Sequence, residues 1–365
     1  MEGLVFGWRT AILAVVVVQL LIIAFALTRA LRNHVANRTL AALLIVLAGV
    51  VTPWMIGFAG FYDRWRWLTF APFSIPLAVA PLLWLYIATL IDGRWPARGW
   101  RHLLPAAVQF AFLAIGFLLP MPLKDRWSDA SAAISSAVFG LATIVSIAAY
   151  GLAGLRLLRR YRHRLADERS DDVRYAALWL SRATGAMLVL LPVWSVYAVW
   201  DAVSPLGYLN LMGLYLAIAA FALYLAIEGW RHAALAFPHF AEAPVTPIAA
   251  RDWQAQGAAW AEAVRAGGWA ADPELSLASL ARLLGTNSGY LSRALNEGLG
   301  IGFSAFVNGL RSEAVAERLR GGGAEDLIDL ALEAGFASKA SFNRAFRATF
   351  GMSPSAYRRH GSIPE

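Results

Sequence analysis

The side chains best able to act together lie in the last eighty or so residues. Ser288, Ser292 and Arg293 form one set, and Ser338, Lys339, Asn343, Arg344 and Arg347 form a second, with Arg358 and Arg359 behind it. Arginine can bridge O6 and N7 of guanine, asparagine can pair with adenine, and lysine, serine and further arginines hold phosphate oxygens. That is the chemistry of reading a duplex, and no catalytic set competes with it. The six histidines (34, 102, 163, 232, 239 and 360) are scattered, with no His-x-x-x-His spacing. There is no cysteine, which excludes disulfides, thiolate catalysis and cysteine metal sites. Neither a Walker loop, a Gly-x-Ser-x-Gly elbow nor a dinucleotide fingerprint occurs. Gly321-Gly322-Gly323 lacks the Lys-Ser/Thr that phosphate cradling needs and reads as a hinge. The expectation is no enzyme, no cofactor and no metal.

The elements that must position these side chains come as a repeated plan. Leu277, Leu280, Ala281 and Leu284 fall at i, i+3, i+4 and i+7, one face of a helix. Ser276 is placed to cap its start and Gly285 to end it. A second short helix turns Leu291 and Leu295 inward and leaves Ser288, Ser292 and Arg293 nearer the open side. The plan then recurs. Residues 327–334 are helical, Gly335-Phe336 turns, and 338–350 is the next helix, with Phe342, Phe346 and Phe350 inward and Lys339, Asn343, Arg344 and Arg347 outward. Leu-Ser-Arg-Ala-Leu and Phe-Asn-Arg-Ala-Phe put Arg293 and Arg344 at equivalent places. On an isolated helix both arginines would be ordinary solvated residues; two units with a glycine turn and one basic or amide face suit the major groove instead.

These residues resemble a known family. The run GYLSRALNEGLG-IGFSAFVNGLRSEAVAERL, followed by DLIDLALEAGFASKASFNRAFRATFGMSPSAYRR, is similar to the DNA-binding domain of AraC/XylS-type transcription regulators. Its most specific part is Ala334-Gly335-Phe336, Ser341-Phe342, Arg344-Ala345-Phe346, Phe350-Gly351 and Ser353-Pro354 through Tyr357-Arg358. The resemblance covers roughly the final quarter of the chain. It implies two helices entering successive major-groove segments of promoter DNA, and RNA polymerase as a partner. Arg293, Lys339 and Arg344 are then base or phosphate contacts, as are Ser288, Ser292, Ser338 and Asn343, while Arg347, Arg358 and Arg359 suit phosphate neutralisation. Arg311, in the joining helix, is expected to hold the two halves together. The chain departs from the family at Gly289 and Ala340, where members often present a larger side chain to the groove, so the family's sequence preference does not transfer.

The rest of the chain is of another kind. At 59% hydrophobic and 15% charged, the composition is far too apolar for an ordinary soluble protein. The net charge of +8 is not a nucleic-acid signature, because residues 251–365 hold 12 basic and 12 acidic side chains. Charge there is segregated: Glu325, Asp326, Asp329 and Glu333 cluster, while Lys339 to Arg359 contains no acid. A bilayer needs about 20 apolar residues per helix. Seven stretches qualify, near 9–28, 39–60, 68–91, 103–120, 131–155, 178–200 and 206–228. Several contain proline (Pro53, Pro76, Pro81, Pro192), which membrane helices tolerate.

Thirteen basic residues fall in the first, third and fifth loops and five on the other side, which predicts N-out, C-in topology and a cytoplasmic tail. The fifth loop, Arg156 to Arg174, is the densest charge run. It reads as positive-inside anchoring, with anionic headgroups or the acidic helix Glu325–Glu333 as other docking surfaces. Trp8, Trp54, Trp65, Trp67 and others at span ends read as an interfacial belt, with an aromatic ligand cage as the alternative. Gln19, Gln109 and Asn210 suit interhelical hydrogen bonds, and Arg182 either marks a buried signal site or snorkels to the surface.

The expected architecture is all-α. Residues 1–230 form a seven-helix transmembrane bundle, 231–250 a linker with Pro238, Pro244 and Pro247, and 251–365 a cytoplasmic domain with two helix-turn-helix units. A lead-in helix carrying Trp253, Trp260 and Val264 should pack on that domain, a homodimer contact being its second reading. The functional expectation is a regulator tethered in the inner membrane, coupled through 229–250 to a small-molecule or envelope signal. A transporter or membrane enzyme with a regulatory tail, and a bare anchor, are the alternatives.

Overall fold

The computed structural model describes residues 4–170, 175–203, 210–238, 252–321 and 325–361. Among these the regular structure is helical, with no strand and one isolated bridge, between Arg169 and Ser276. The chain groups into two compact units: Met1–Leu158 with Ala177–His239, and Arg159–Ala176 with Phe240–Glu365.

The first unit contains α1 (Trp8–Thr28), α2 (His34–Phe58), α3 (Val79–Asp92), α4 (Leu104–Leu118), most of α5 (Met121–Glu168), α6 (Leu178–Val203) and α7 (Met212–His232). Among the described residues six helices are long and apolar enough to cross a membrane. The third expected span is the shorter Pro76–Asp92, a 3-10 turn continued by α3. The pattern of α1 shows what solvent it needs. Leu13, Val16, Leu20, Ala24 and Leu27 are buried against neighbours, yet Ile12, Val15, Val18, Ile22 and Phe25 stay exposed on the other face. A helix apolar all round is buried in a core or faces lipid. Helix α1 packs on α2, and α2 on α3 and α7. The approach of α7 to α2 depends on Gly229, where a Cβ would lie 2.2 Å from Leu40 Cδ2.

Several amide side chains in this unit bond to its own backbone. Gln109 Oε1 accepts from Leu77 N at 3.2 Å, an interhelical bond of the expected kind. Asn37 Nδ2 donates to Arg32 O and Ala233 O, and Asn33 Nδ2 to Leu235 O, pinning the chain where it leaves α7. Arg182 is exposed, which fits snorkelling rather than a buried charge. The charge-dense stretch expected as a loop is instead helical to Glu168. Leu158, Tyr161 and Leu165, at i, i+3 and i+7 among the arginines, form a buried stripe that sustains the helix.

The second unit contains α8 (Trp253–Gly267), α9 (Leu277–Leu283), α10 (Ser288–Arg293), α11 (Phe303–Arg320), α12 (Leu327–Glu333), α13 (Lys339–Phe350) and α14 (Pro354–Gly361). Two cores share α11. Its first half gives Phe303, Phe306, Val307 and Leu310 to a cluster with Val264, Leu280, Leu291 and Leu295, so the lead-in helix does pack on this domain. Its second half gives Val315, Ala316 and Leu319 to a cluster with Leu330, Phe336, Phe342 and Phe346. The expected ends at Ser276 and Gly285 hold: Ser276 forms a reciprocal capping box with Ser279, and Gly285 has φ +67. Residues 239–250, with the linker prolines Pro244 and Pro247, lie outside the described residues, as do Gly322 and Gly323 of the expected hinge and residues 204–209 at the start of the last expected span.

Gly335 combines φ +92 with a close approach, since a Cβ there would stand 2.5 Å from Ala271 O. Gly351 has φ +73 but open space around it. Gly351→Ala should therefore cost about 1 kcal/mol of backbone strain, and Gly335→Ala about 3 kcal/mol, because a backbone clash is added. Urea unfolding of the second unit, in the detergent-solubilised full chain, checks this; equal shifts for the two variants would rule out the close approach.

Candidate nucleic-acid interface

Two short helices hold the basic and amide side chains, each fixed by a cap at one end and apolar anchors beneath. Helix α10 starts at Asn287, whose side chain accepts from Tyr290 N at 2.8 Å, and it is anchored by the buried Leu291. It runs on into a π-turn, Ala294–Gly298, seated by Leu295. Ser288, Ser292 and Arg293 lie together on this element, all half-buried. Ser292 Oγ accepts from Asn296 Nδ2 at 3.2 Å, and Arg293 Nε stands 3.5 Å from Glu297 Oε1. Both arms of that ion pair are about half exposed, so it is worth a fraction of a kcal/mol and yields readily to a stronger anion.

Helix α13 is the more strongly amphipathic. Phe342 and Phe346 are buried beneath it, in a ring series that continues to Phe350 and Tyr357 at centroid distances of 4.7 to 5.5 Å. Lys339, Asn343 and Arg347 lie at i, i+4 and i+8, one stripe flanking the buried face, with Arg344 on the side opposite Phe342 and Phe346. Lys339, Arg344 and Arg347 are exposed and Asn343 is half-buried. Ser338 is not the first helical residue, as expected, but the N-cap. Its Oγ accepts from Ser341 N at 3.2 Å, so the hydroxyl holds the helix start.

Lys339, Asn343 and Arg358 also line a cleft of about 450 Å³ with Glu325, Asp326 and Ser355. Arg358 Nη1 donates to Glu325 O at 3.1 Å, fastening α14 to the start of α12. Arg359 is exposed at the end of the same helix. The acidic helix α12 is tied down by Arg318, which donates to Glu333 and Glu325; the bond to Glu333 leads the effects that push its pKa further up. That leaves Lys339–Arg359 as an uninterrupted cationic stretch.

Sequence reasoning missed the partners of these residues. Asn287 carried an N-cap signal that was open to view, whereas Glu297 was visible only as an i+4 acid. Nothing pointed to the carbonyl of Glu325.

Comparison with known proteins agrees with this geometry. Residues 280–360 match the family model described as a helix-turn-helix domain, of the AraC type. Three uncharacterized HTH-type transcriptional regulators of Staphylococcus aureus, from strains MSSA476, N315 and MW2, are each 38% identical over 85 residues. That stretch is 23% of this chain and 11% of each relative, so the chain spans about a tenth of the length of the curated relatives it matches. No solved structure matches. The second unit thus carries a helix-turn-helix DNA-binding domain of the kind found in transcription regulators.

If Ser338 serves as a cap, Ser338→Ala should cost about 1 kcal/mol and Ser338→Asp almost nothing. Amide exchange at Ser341 in the full chain is the measurement. Equal protection in both variants would remove the capping role.

Proposed function

We propose that the chain is a membrane-tethered, sequence-specific regulator of transcription. Its apolar helices sit in the inner membrane with the N-terminus outside, and its second unit reads promoter DNA in the cytoplasm. One observation carries this: a single chain joins six long apolar helices, several with exposed apolar faces, to a domain with two helix-turn-helix units. The excess of basic residues in the odd-numbered loops supports the orientation. The membrane half is assigned a sensing role, for a small molecule or an envelope signal, and RNA polymerase is the partner at the promoter.

On this reading Arg293 and Arg344 read bases from equivalent places, with Lys339 beside Arg344. Asn343, Ser288 and Ser292 are the amide and hydroxyl contacts. Arg347 and Arg359 neutralise phosphates, and Arg358 does so while fastened to Glu325 O. Ser338 contributes to the interface chiefly by setting the start of α13. Residues 1–230, 231–250 and 251–365 are the membrane domain, the linker and the DNA-binding domain.

The test selects genomic fragments with the full chain in nanodiscs at a fixed, stated salt, because phosphate contacts make affinity steeply salt-dependent. Wild type should enrich one motif. Arg293→Ala with Arg344→Ala should lose it by about a hundredfold, since each bidentate contact is worth about 1–3 kcal/mol. A folded protein that enriches nothing would sink the proposal and return the spans to the transporter or anchor readings.

A further inference from the structure

Helix α11 carries a stripe of polar side chains where a core is expected. Ser304, Asn308, Arg311 and Ser312 fall at i, i+4, i+7 and i+8, and all four are buried, Arg311 to 1% exposure and Ser312 to 0%. A buried guanidinium is tolerated only when its N–H groups are answered. The partners come from three places, the nearest being Asn308 Oδ1 one turn back on the same helix, which accepts from Nη1 at 3.2 Å. From the turn before α9, Ala270 O accepts from Arg311 Nε and Asp272 O from Nη2, each at 2.7 Å. The others belong to Ser170, which follows the fifth span in sequence. Ser170 Oγ lies 3.1 Å from Arg311 Nη2 and donates to Leu275 O, and Ser170 O accepts from Asn308 Nδ2 at 2.9 Å. Arg169 adds the bridge to Ser276 and an ion pair with Glu274 at 2.9 Å.

The same joint touches both helix-turn-helix units. Ser276 caps α9 of the first. The Arg311 guanidinium lies over the ring of Phe336, and Ala271 O meets Gly335, both in the turn of the second. Ser170, itself 1% exposed, is therefore a wedge in the seam where the two units meet. Withdrawing it would leave a buried amide and a buried guanidinium short of partners, a penalty large enough to loosen the seam.

We infer that Arg159–Ser170 is a seated part of the DNA-reading unit, and that its seating fixes the two reading helices at the one spacing that lets both engage. Release of this segment is the step by which the membrane half lowers DNA affinity. The inference rests on the DNA reading proposed above. It adds to the linker at 229–250 a second input, continuous in sequence with the fifth span.

The chain has no cysteine, so a single introduced thiol reports cleanly. In the full chain in nanodiscs, the S170C thiol should react with a water-soluble maleimide about tenfold more slowly, or slower still, than the exposed A278C thiol. Asn308→Ala should speed labelling at position 170 and lower capture of the enriched fragment about tenfold. Arg169→Cys with Ser276→Cys places two thiols across the bridge, within reach of a disulfide. Oxidising that pair should keep capture at the level of its reduced form and restore it in the Asn308→Ala background. Labelling of S170C as fast as A278C would overturn the seating. Weaker capture after oxidation would overturn the assignment of the seated form as the competent one. A protected S170C with no fragment captured by any variant would defeat the DNA reading and the control built on it, while supporting the seating.

Discussion

A guanidinium cannot shed its charge inside a protein, so wherever one is buried the surrounding backbone must be arranged to meet it. Arg311 imposes that demand on the second unit. Its nitrogens gather Ala270 O, Asp272 O, Asn308 and Ser170, and its flat face lies over Phe336. Three pieces of chain distant in sequence, at Ser170, at Ala270 and Asp272, and at Phe336, thereby converge on one side chain. Removing any of them leaves polar groups stranded, which penalises partial arrangements far more than a missing apolar contact does. The expectation that Arg311 joins the two halves is met, and the tie includes a piece of chain from before the second unit's main run.

With the seam fixed from within, the outer face is free to be chosen for chemistry. Along α13, Phe342 and Phe346 do the packing while Lys339, Arg344 and Arg347 contribute nothing to the core. The same division holds on α10, where Leu291 anchors and Ser288, Ser292 and Arg293 remain at the surface. Substitutions on such faces come at little expense in stability. This separation suits a scaffold that reads different sequences with one architecture.

Much of this was legible in the sequence, for physical reasons that can be named. Apolar side chains at helical spacing announced α9 and α13, and Ser276 and Gly285 punctuated α9. Long apolar runs announced the six helices long and apolar enough to cross a membrane, because length and apolarity are read directly from the sequence. The third span was overestimated in length because the stretch before Pro76 is equally apolar but not a long helix. The arginine-rich stretch after the fifth span was misread as a loop. Its charges masked the stripe of Leu158, Tyr161 and Leu165. The seat of Ser170 was illegible, since a lone serine carries no periodic signal and its partners lie more than a hundred residues away. The polar stripe on α11 was the available clue, visible only once the opposite side of that helix was known to be occupied too.

Helix α11 is the shared spine of two cores, with Phe303 to Leu310 in one and Val315 to Leu319 in the other. An α-helix turns by about 100° per residue. Inserting or deleting one residue between Leu310 and Val315 would swing one helix-turn-helix unit by that angle about the spine relative to its fellow. Their exposed faces would then point in different directions, however intact each remained. Evolution can lengthen the loops of this unit and exchange its surface, but the residue count of that one helix is frozen by geometry. On the proposed reading, the spacing of the two reading helices is written into the spine's length.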